Sequence, residues 1–212
     1  MTAFVDLVPQ IADHCPGIDD PAAVYALVRS ARELCQRTNV WQTTVKMNLT
    51  VNITDYTVAV PAQSELNRFM AATARGAGLT PIPTSQVTAP EALISGAEAG
   101  RPLCFYTPTP LGATLRVFPP PDATTVDGLV VTLSLAPTRG ASDLDDNIAA
   151  LYQETIVHGA LHRLMVNPVT SYTSQQAKYF RDEFERGVIR AMRDALAGRV
   201  RSSVNVRPRG FV

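Results

Sequence analysis

Apolar positions follow two periods along the chain, and the switches between them mark its organisation. Val24, Leu27, Val28, Ala31, Leu34 and Cys35 recur at the three-and-four spacing that lines one face of a helix. Asp20 followed by Pro21 gives that helix a start, because an N-cap acid and a proline at the first helical position both suit backbone N–H groups with no helical partner. A shorter helix upstream carries Phe4, Leu7, Val8 and Ile11, with Pro9 expected to kink or interrupt it. From Thr44 to Leu49 the period becomes two. Residues 56–60, 103–106, 113–118 and 129–135 are β-branched or aromatic runs bounded by proline and glycine. Together these predict short antiparallel strands. Turns are expected at Gly76-Ala-Gly78 and Pro119-Pro-Pro121, and a brief helix at 90–94.

Helical spacing returns over residues 143–166, opened by Asp143, Asp145 and Asp146 where the positive end of the helix dipole favours acids. Its apolar residues Ile148, Leu151, Ile156, Leu161, Leu164 and Met165 cover more than one face, which predicts a helix central to the core. Pro168 stops it, and Thr173 with Gln176 forms a capping box for a last helix. That helix carries a stripe of Ala177, Phe180, Phe184, Val188, Ala191 and Ala195 and ends near Gly198.

The simplest architecture joins residues 1–41 and 143–198 into a four-helix bundle, with 42–142 as an inserted antiparallel β subdomain and 199–212 as an extended C-terminal arm. The expected fold class is mainly α. Composition supports the division, since 42–142 holds 11 of the 16 prolines and 7 of the 12 glycines but only 12 charged residues. Trp41 stands at the junction and is expected to pack between bundle and insertion.

With 212 residues, 46% of them hydrophobic, 18% charged and a net charge of zero, the chain has a globular composition that excludes collagen and disorder. A chain of this length buries roughly 70–75% of its unfolded surface, enough for one core without staples. No uninterrupted apolar run reaches the roughly 18 residues of a membrane span. The first basic residue, Arg29, follows Asp6, Asp13, Asp19 and Asp20, the reverse of a secretory leader, so synthesis in a cytoplasm is expected. The sequons at Asn48 and Asn52 then carry no weight. Cys15, Cys35 and Cys104 are odd in number and lack C-x-x-C spacing, which predicts three small buried hydrophobes and no cysteine zinc site.

Candidate chemistry is sparse. Glu154, His158 and His162 stand at i, i+4 and i+8 on one helix, a spacing that could present three ligands to one ion. A metal-dependent hydrolase using them is the enzyme alternative. Against it, Gly159 occupies the position where a zincin carries its general base, so histidines hydrogen-bonded within the bundle are the preferred reading. There is no G-x-S-x-G elbow and no phosphate-cradling glycine loop. No catalytic residue, cofactor or metal is therefore expected. The terminal arm holds Arg199, Arg201, Arg207 and Arg209 with no acids and ends in Phe211-Val212. Such an arm could bind phosphates, meet an acidic protein surface or stay solvated; the neutral chain and apolar end favour a protein partner over nucleic acid.

The order of features resembles the head-to-tail adaptor, or connector, proteins of tailed bacteriophages. Ala26-Leu-Val-Arg29-Ser-Ala-Arg32-Glu-Leu-Cys35-Gln-Arg37-Thr38-Asn-Val-Trp41 is similar to their second-helix signature. Leu115-Arg-Val-Phe-Pro119-Pro-Pro121 is similar to a strand ending in a proline pair, the stretch from Tyr152 to Pro168 to the third helix, and Tyr179-Phe180-x-x-x-Phe184-x-x-Gly187 to the fourth. The resemblance implies a virion protein of the head-tail junction, made in the host cytoplasm, with no catalytic residues and no membrane. It implies a homo-oligomeric ring, usually of twelve copies, that docks on the portal, meets downstream tail or neck proteins and extends the channel through which DNA leaves without sequence-specific binding. A head-closure or tail-completion ring is the alternative within the virion. The family's habit of reaching toward the portal with its C-terminus places portal contact on Arg199, Arg201, Arg207, Arg209 and Phe211. Low charge, inserted edge strands and a loose arm are compatible with a protein whose work is assembly.

Overall fold

Pro9 shapes the N-terminus. In the computed structural model, which describes residues 1–83, 98–109, 112–166 and 174–197, Phe4–Leu7 forms a 3-10 turn and α1 spans only Val8–Ala12, with Pro9 in its first turn. Phe4, Leu7, Val8 and Ile11 are all buried, as their spacing predicted. α2 (Asp20–Thr38) carries Pro21 in its first turn, but its N-cap is Asp19, one residue before the expected one. It ends where Asn39 turns left-handed (φ 53°) and donates its N–H to the Cys35 carbonyl at 2.9 Å.

Among the described residues, ten strands follow the predicted β character of the middle region and extend beyond it. They are β1 (Thr2–Ala3), β2 (Gln42–Leu49), β3 (Asp55–Thr57), β4 (Ser64–Ala74), β5 (Ala77–Gly78), β6 (Thr80–Pro81), β7 (Cys104–Tyr106), β8 (Thr114–Phe118), β9 (Thr125–Pro137) and β10 (Asp143–Leu144). They make two four-stranded sheets, ordered β2-β9-β4-β5 and β3-β8-β7-β6, and a two-stranded ribbon of β1 and β10. All pairs are antiparallel except β6 with β7.

β9 organises the larger sheet. It pairs with β2 on one side (Gln42 opposite Ser134) and β4 on the other (Leu66 opposite Leu135), and Leu129, Val131, Leu133 and Leu135 are fully buried along it. β4 slips register against β9 twice, between Leu66 and Arg68 and again between Phe69 and Ala71. Arg75 and Gly76 close the β4–β5 hairpin in two residues with φ of 50° and 76°. Glycine at the second position fits that turn, which needs a left-handed backbone twice.

α3 (Asp146–Met165) and α4 (Ser174–Ala197) complete the fold. α3 begins three residues later than its pattern suggests because Asp143 and Leu144 pair with Ala3 and Thr2. Asp145 is its N-cap and accepts the Asn147 and Ile148 N–H groups at 2.9 and 3.3 Å. α2, α3 and α4 pack against one another and α2 also lies on β9. Gly159 is what allows the close approach: a Cβ there would lie 2.0 Å from Ser30 Oγ and 2.6 Å from the Phe184 ring. Gly187 does the same beside Thr155, whose Cγ2 would be 2.3 Å away. One continuous apolar cluster runs from Phe4 through α2, Trp41 and β9 to Phe184 and Val188.

These observations overturn the mainly α expectation. The fold is β-rich, with three sheets, and its helices do not form a four-helix bundle. Pro9 keeps residues 4–7 out of α1 and Pro16-Gly17 follows its end, so α1 has five residues, too short to serve as a fourth bundle helix, and the eleven-residue β4 adds a long strand that period-two patterning does not announce. The expected helix at 90–94, the Thr173 capping box and the arm at 199–212 lie outside the described residues.

Candidate functional site

Glu154, His158 and His162 do share one side of α3, as one helical turn per four residues requires. The two imidazoles serve packing, while Glu154 is exposed. His162 Nδ1 lies 3.0 Å from the Ala177 carbonyl oxygen at the start of α4, and the His158 ring centroid is 5.5 Å from that of Phe180, which also meets His14 edge-on at 5.4 Å. Burial lowers the proton affinity of His158, opposed by the charges of Glu154 and Glu183 and aided by His14. Among the described residues no group of three His, Cys, Asp or Glu side chains could hold a metal ion.

The cysteines divide. Cys15 and Cys35 are buried as expected, and burial pushes the Cys35 thiol up to about 12, keeping it protonated and unreactive. Cys104 departs from the expectation: it is half-buried in β7, its Sγ 3.5 Å from the Phe118 carbonyl. Arg199, Arg201, Arg207, Arg209 and Phe211, the expected portal contacts, lie outside the described residues.

No sequence motif marks the arginines that the fold gathers beside α2. Tyr25, Arg29, Arg32 and Gln36 follow one another at i, i+4, i+7 and i+11 along its outer face. Arg139, from the β9–β10 connection, and Arg163, from the last turn of α3, close a groove of about 560 Å³ against them. Glu33 sits within it, paired with Arg163 and, at 3.1 Å, with Arg37. Arg37 in turn forks onto both carboxylate oxygens of Glu185 on α4 at 2.7 and 2.6 Å, which holds that carboxyl below its usual range. Arg32 pairs with Glu65 of β4. Arg29 rests its guanidinium 5.6 Å from the Tyr25 ring centroid, and neither Arg29 nor Arg139 forms an ion pair among the described residues. The helical spacing of Tyr25, Arg29 and Arg32 is legible in the sequence. The arrival of Arg139 and Arg163 beside them is a product of the tertiary fold.

The opposite character appears where the β2–β3 and β8–β9 connections meet. The Val51 N–H donates to Thr124 Oγ1 at 3.2 Å and the Asn52 N–H to the Pro121 carbonyl at 2.9 Å, joining the two loops. Val51 and Ile53 stand out from the first loop, and Val126, the second residue of β9, has 77% of its surface exposed. The Arg116–Asp55 and Arg75–Asp122 pairs brace the strands beneath.

A family model described as SU10 adaptor protein matches residues 2–209. No curated protein matches the chain.

Proposed function

The chain belongs to the SU10 adaptor protein family, and on that premise we propose that it is the subunit of a ring, of twelve copies, that docks on the portal of a phage head and links it to the tail. In this reading the ring extends the DNA exit channel, and downstream tail or neck proteins bind its far side. The observation that carries the reading is the extent of the family match, which runs through the helical and the sheet-forming segments alike. Two surface features support it. The Tyr and Arg content of the α2 groove is the composition of protein contacts, and the exposed valines and isoleucine at the β-loop end are apolar surface of the kind that partners cover. The chain is assigned no catalytic residue, and His158 and His162 are read as packing residues beside an exposed Glu154.

Mass measurement of the purified protein, alone and mixed with assembled portal, tests this. Ring assembly alone, or binding to portal in ring stoichiometry, is the expected result. A protein that ignores the bare portal but joins a portal already carrying another adaptor would be a head-closure ring instead. Portal contact is proposed to rest on Arg199, Arg201, Arg207, Arg209 and Phe211. Deleting residues 199–212 should leave the far-UV circular dichroism and melting temperature unchanged while abolishing portal binding; unchanged binding refutes that assignment.

A further inference from the structure

We propose that the arginine groove beside α2 is the socket of a subunit contact, and that its occupant is the acidic corner at the N-terminal end of α2 in a second copy of this chain. The inference deepens the ring reading above and rests on it.

The groove presents Arg29, Arg32, Arg139 and Arg163 with Glu33 as the one acid in its lining, and two of those arginines have no carboxylate partner among the described residues. An unmatched cationic groove calls for an anionic occupant. Three features favour a protein acid over a free phosphate or nucleic acid. Glu33 stands among the arginines, where it would repel a multiply charged anion. The groove borders the C-terminal turn of α3, whose dipole is negative, and contains no helix N-terminus to supply N–H donors. Tyr25 is 59% exposed at its edge with Arg29 against its ring, and exposed Tyr beside Arg is the pairing that anchors protein interfaces.

The matching surface is on the same chain. Asp13, Asp19 and Asp20 are exposed around the entry to α2, and none forms an ion pair among the described residues. Asp20 lies nine helical residues before Arg29, about 14 Å along the axis, so a chain does not bring its own corner into its own groove. A second copy can. Because corner and groove are different patches, the contact is head-to-tail, the type that generates a ring when its rotation closes.

Charge reversal tests the pairing directly. One variant carries Asp19→Arg and Asp20→Arg, giving two basic surfaces; the other carries Arg29→Glu and Arg139→Glu, giving two acidic ones. Each is compared with wild type by sedimentation velocity and native mass spectrometry, alone and with assembled portal, after melting curves establish that it is folded. Each variant alone should assemble at least about 100-fold more weakly than wild type, since like charges then face each other. Mixed one to one they should assemble again, as an alternating ring. Wild-type assembly by both single variants, or a mixture of folded variants that stays unassembled, overturns the groove assignment and leaves the ring reading standing. A wild-type chain that assembles neither alone nor on portal overturns the ring reading, and this inference with it.

Discussion

The same residue type meets opposite surroundings in the packed interior of this fold and at its margin. In the packed helices, Gly159 and Gly187 fill places where one added carbon would come within 2.0 Å of Ser30 Oγ or 2.3 Å of Thr155. In the sheet the same closeness holds at Gly128 inside β9, where a Cβ would stand 2.7 Å from Thr125, whereas Gly78 in the edge strand β5 and Gly140 after β9 have nothing within 4 Å. The difference teaches where this molecule is a fitted solid and where it is a surface. Helix spacing is set by side chains of Ser30, Phe184 and Thr155 seated against the bare backbone of Gly159 and Gly187. At the margin, Val51 and Ile53 in the β2–β3 connection and Val126 at the start of β9 face outward.

The comparison breaks first at Gly159. Gly159→Ala should lower unfolding free energy by about 3 kcal/mol, the upper range for forcing a methyl into a packed core, despite alanine's better helix propensity. Urea denaturation of Gly159→Ala beside Gly78→Ala measures the contrast; the second should stay within about 0.5 kcal/mol of wild type. Equal effects would dissolve the distinction. Ser30 bears on it too, because its buried Oγ has no hydrogen-bond partner among the described residues. Removing the hydroxyl in the Gly159→Ala background should recover part of the loss, read as coupling in a double-mutant cycle.

A smaller loss is expected at the entrance to α3. Asp145→Ala leaves the Asn147 and Ile148 N–H groups without their acceptor and should cost about 1 kcal/mol in the same denaturation assay. Acidification reaches the helical half through His158. Burial lowers its pKa in the folded chain below the ordinary 6.5, so the unfolded chain takes up the proton first. Its contribution is therefore complete above about 6.5 and declines as pH falls from there toward the lower folded value. Melting temperatures between pH 7.5 and 5.5 should fall, and His158→Gln should flatten that slope. A loss no larger than that at Asp145 belongs to Glu33→Gln. Its two arginine partners are about one-third exposed, and solvent screening holds the loss to at most about 1 kcal/mol.

Legibility in the sequence followed the range of the forces involved. α2, β2, β8 and β9 were readable because local period and boundary residues agree with their tertiary setting. β4 was not, since Glu65, Leu66, Met70, Ala71, Ala72 and Ala74 are helix formers and two register slips disrupt its alternation; pairing with β9 overrides propensity there. Asp143 and Leu144 looked like a helix start because their strand partner is almost the full chain away, at Thr2 and Ala3. The His158 and His162 spacing was correct as geometry, but only the fold shows that Phe180 and the Ala177 carbonyl occupy those rings. The arginine groove was half visible, as the helical run Tyr25, Arg29 and Arg32.

The position of β9 between β2 and β4 sets an order of events during synthesis. Gln42 waits for Ser134 and Leu66 for Leu135, so two strands leave the ribosome long before the one that joins them. Until then both carry open edges, and the sheet forms late, through contacts of high sequence separation. α3 and α4, adjacent in the chain, follow the completed sheet and need no such wait. The interval between β4 and β9 is thus the nascent chain's period of greatest exposure to aggregation, and the natural window for a chaperone to hold it.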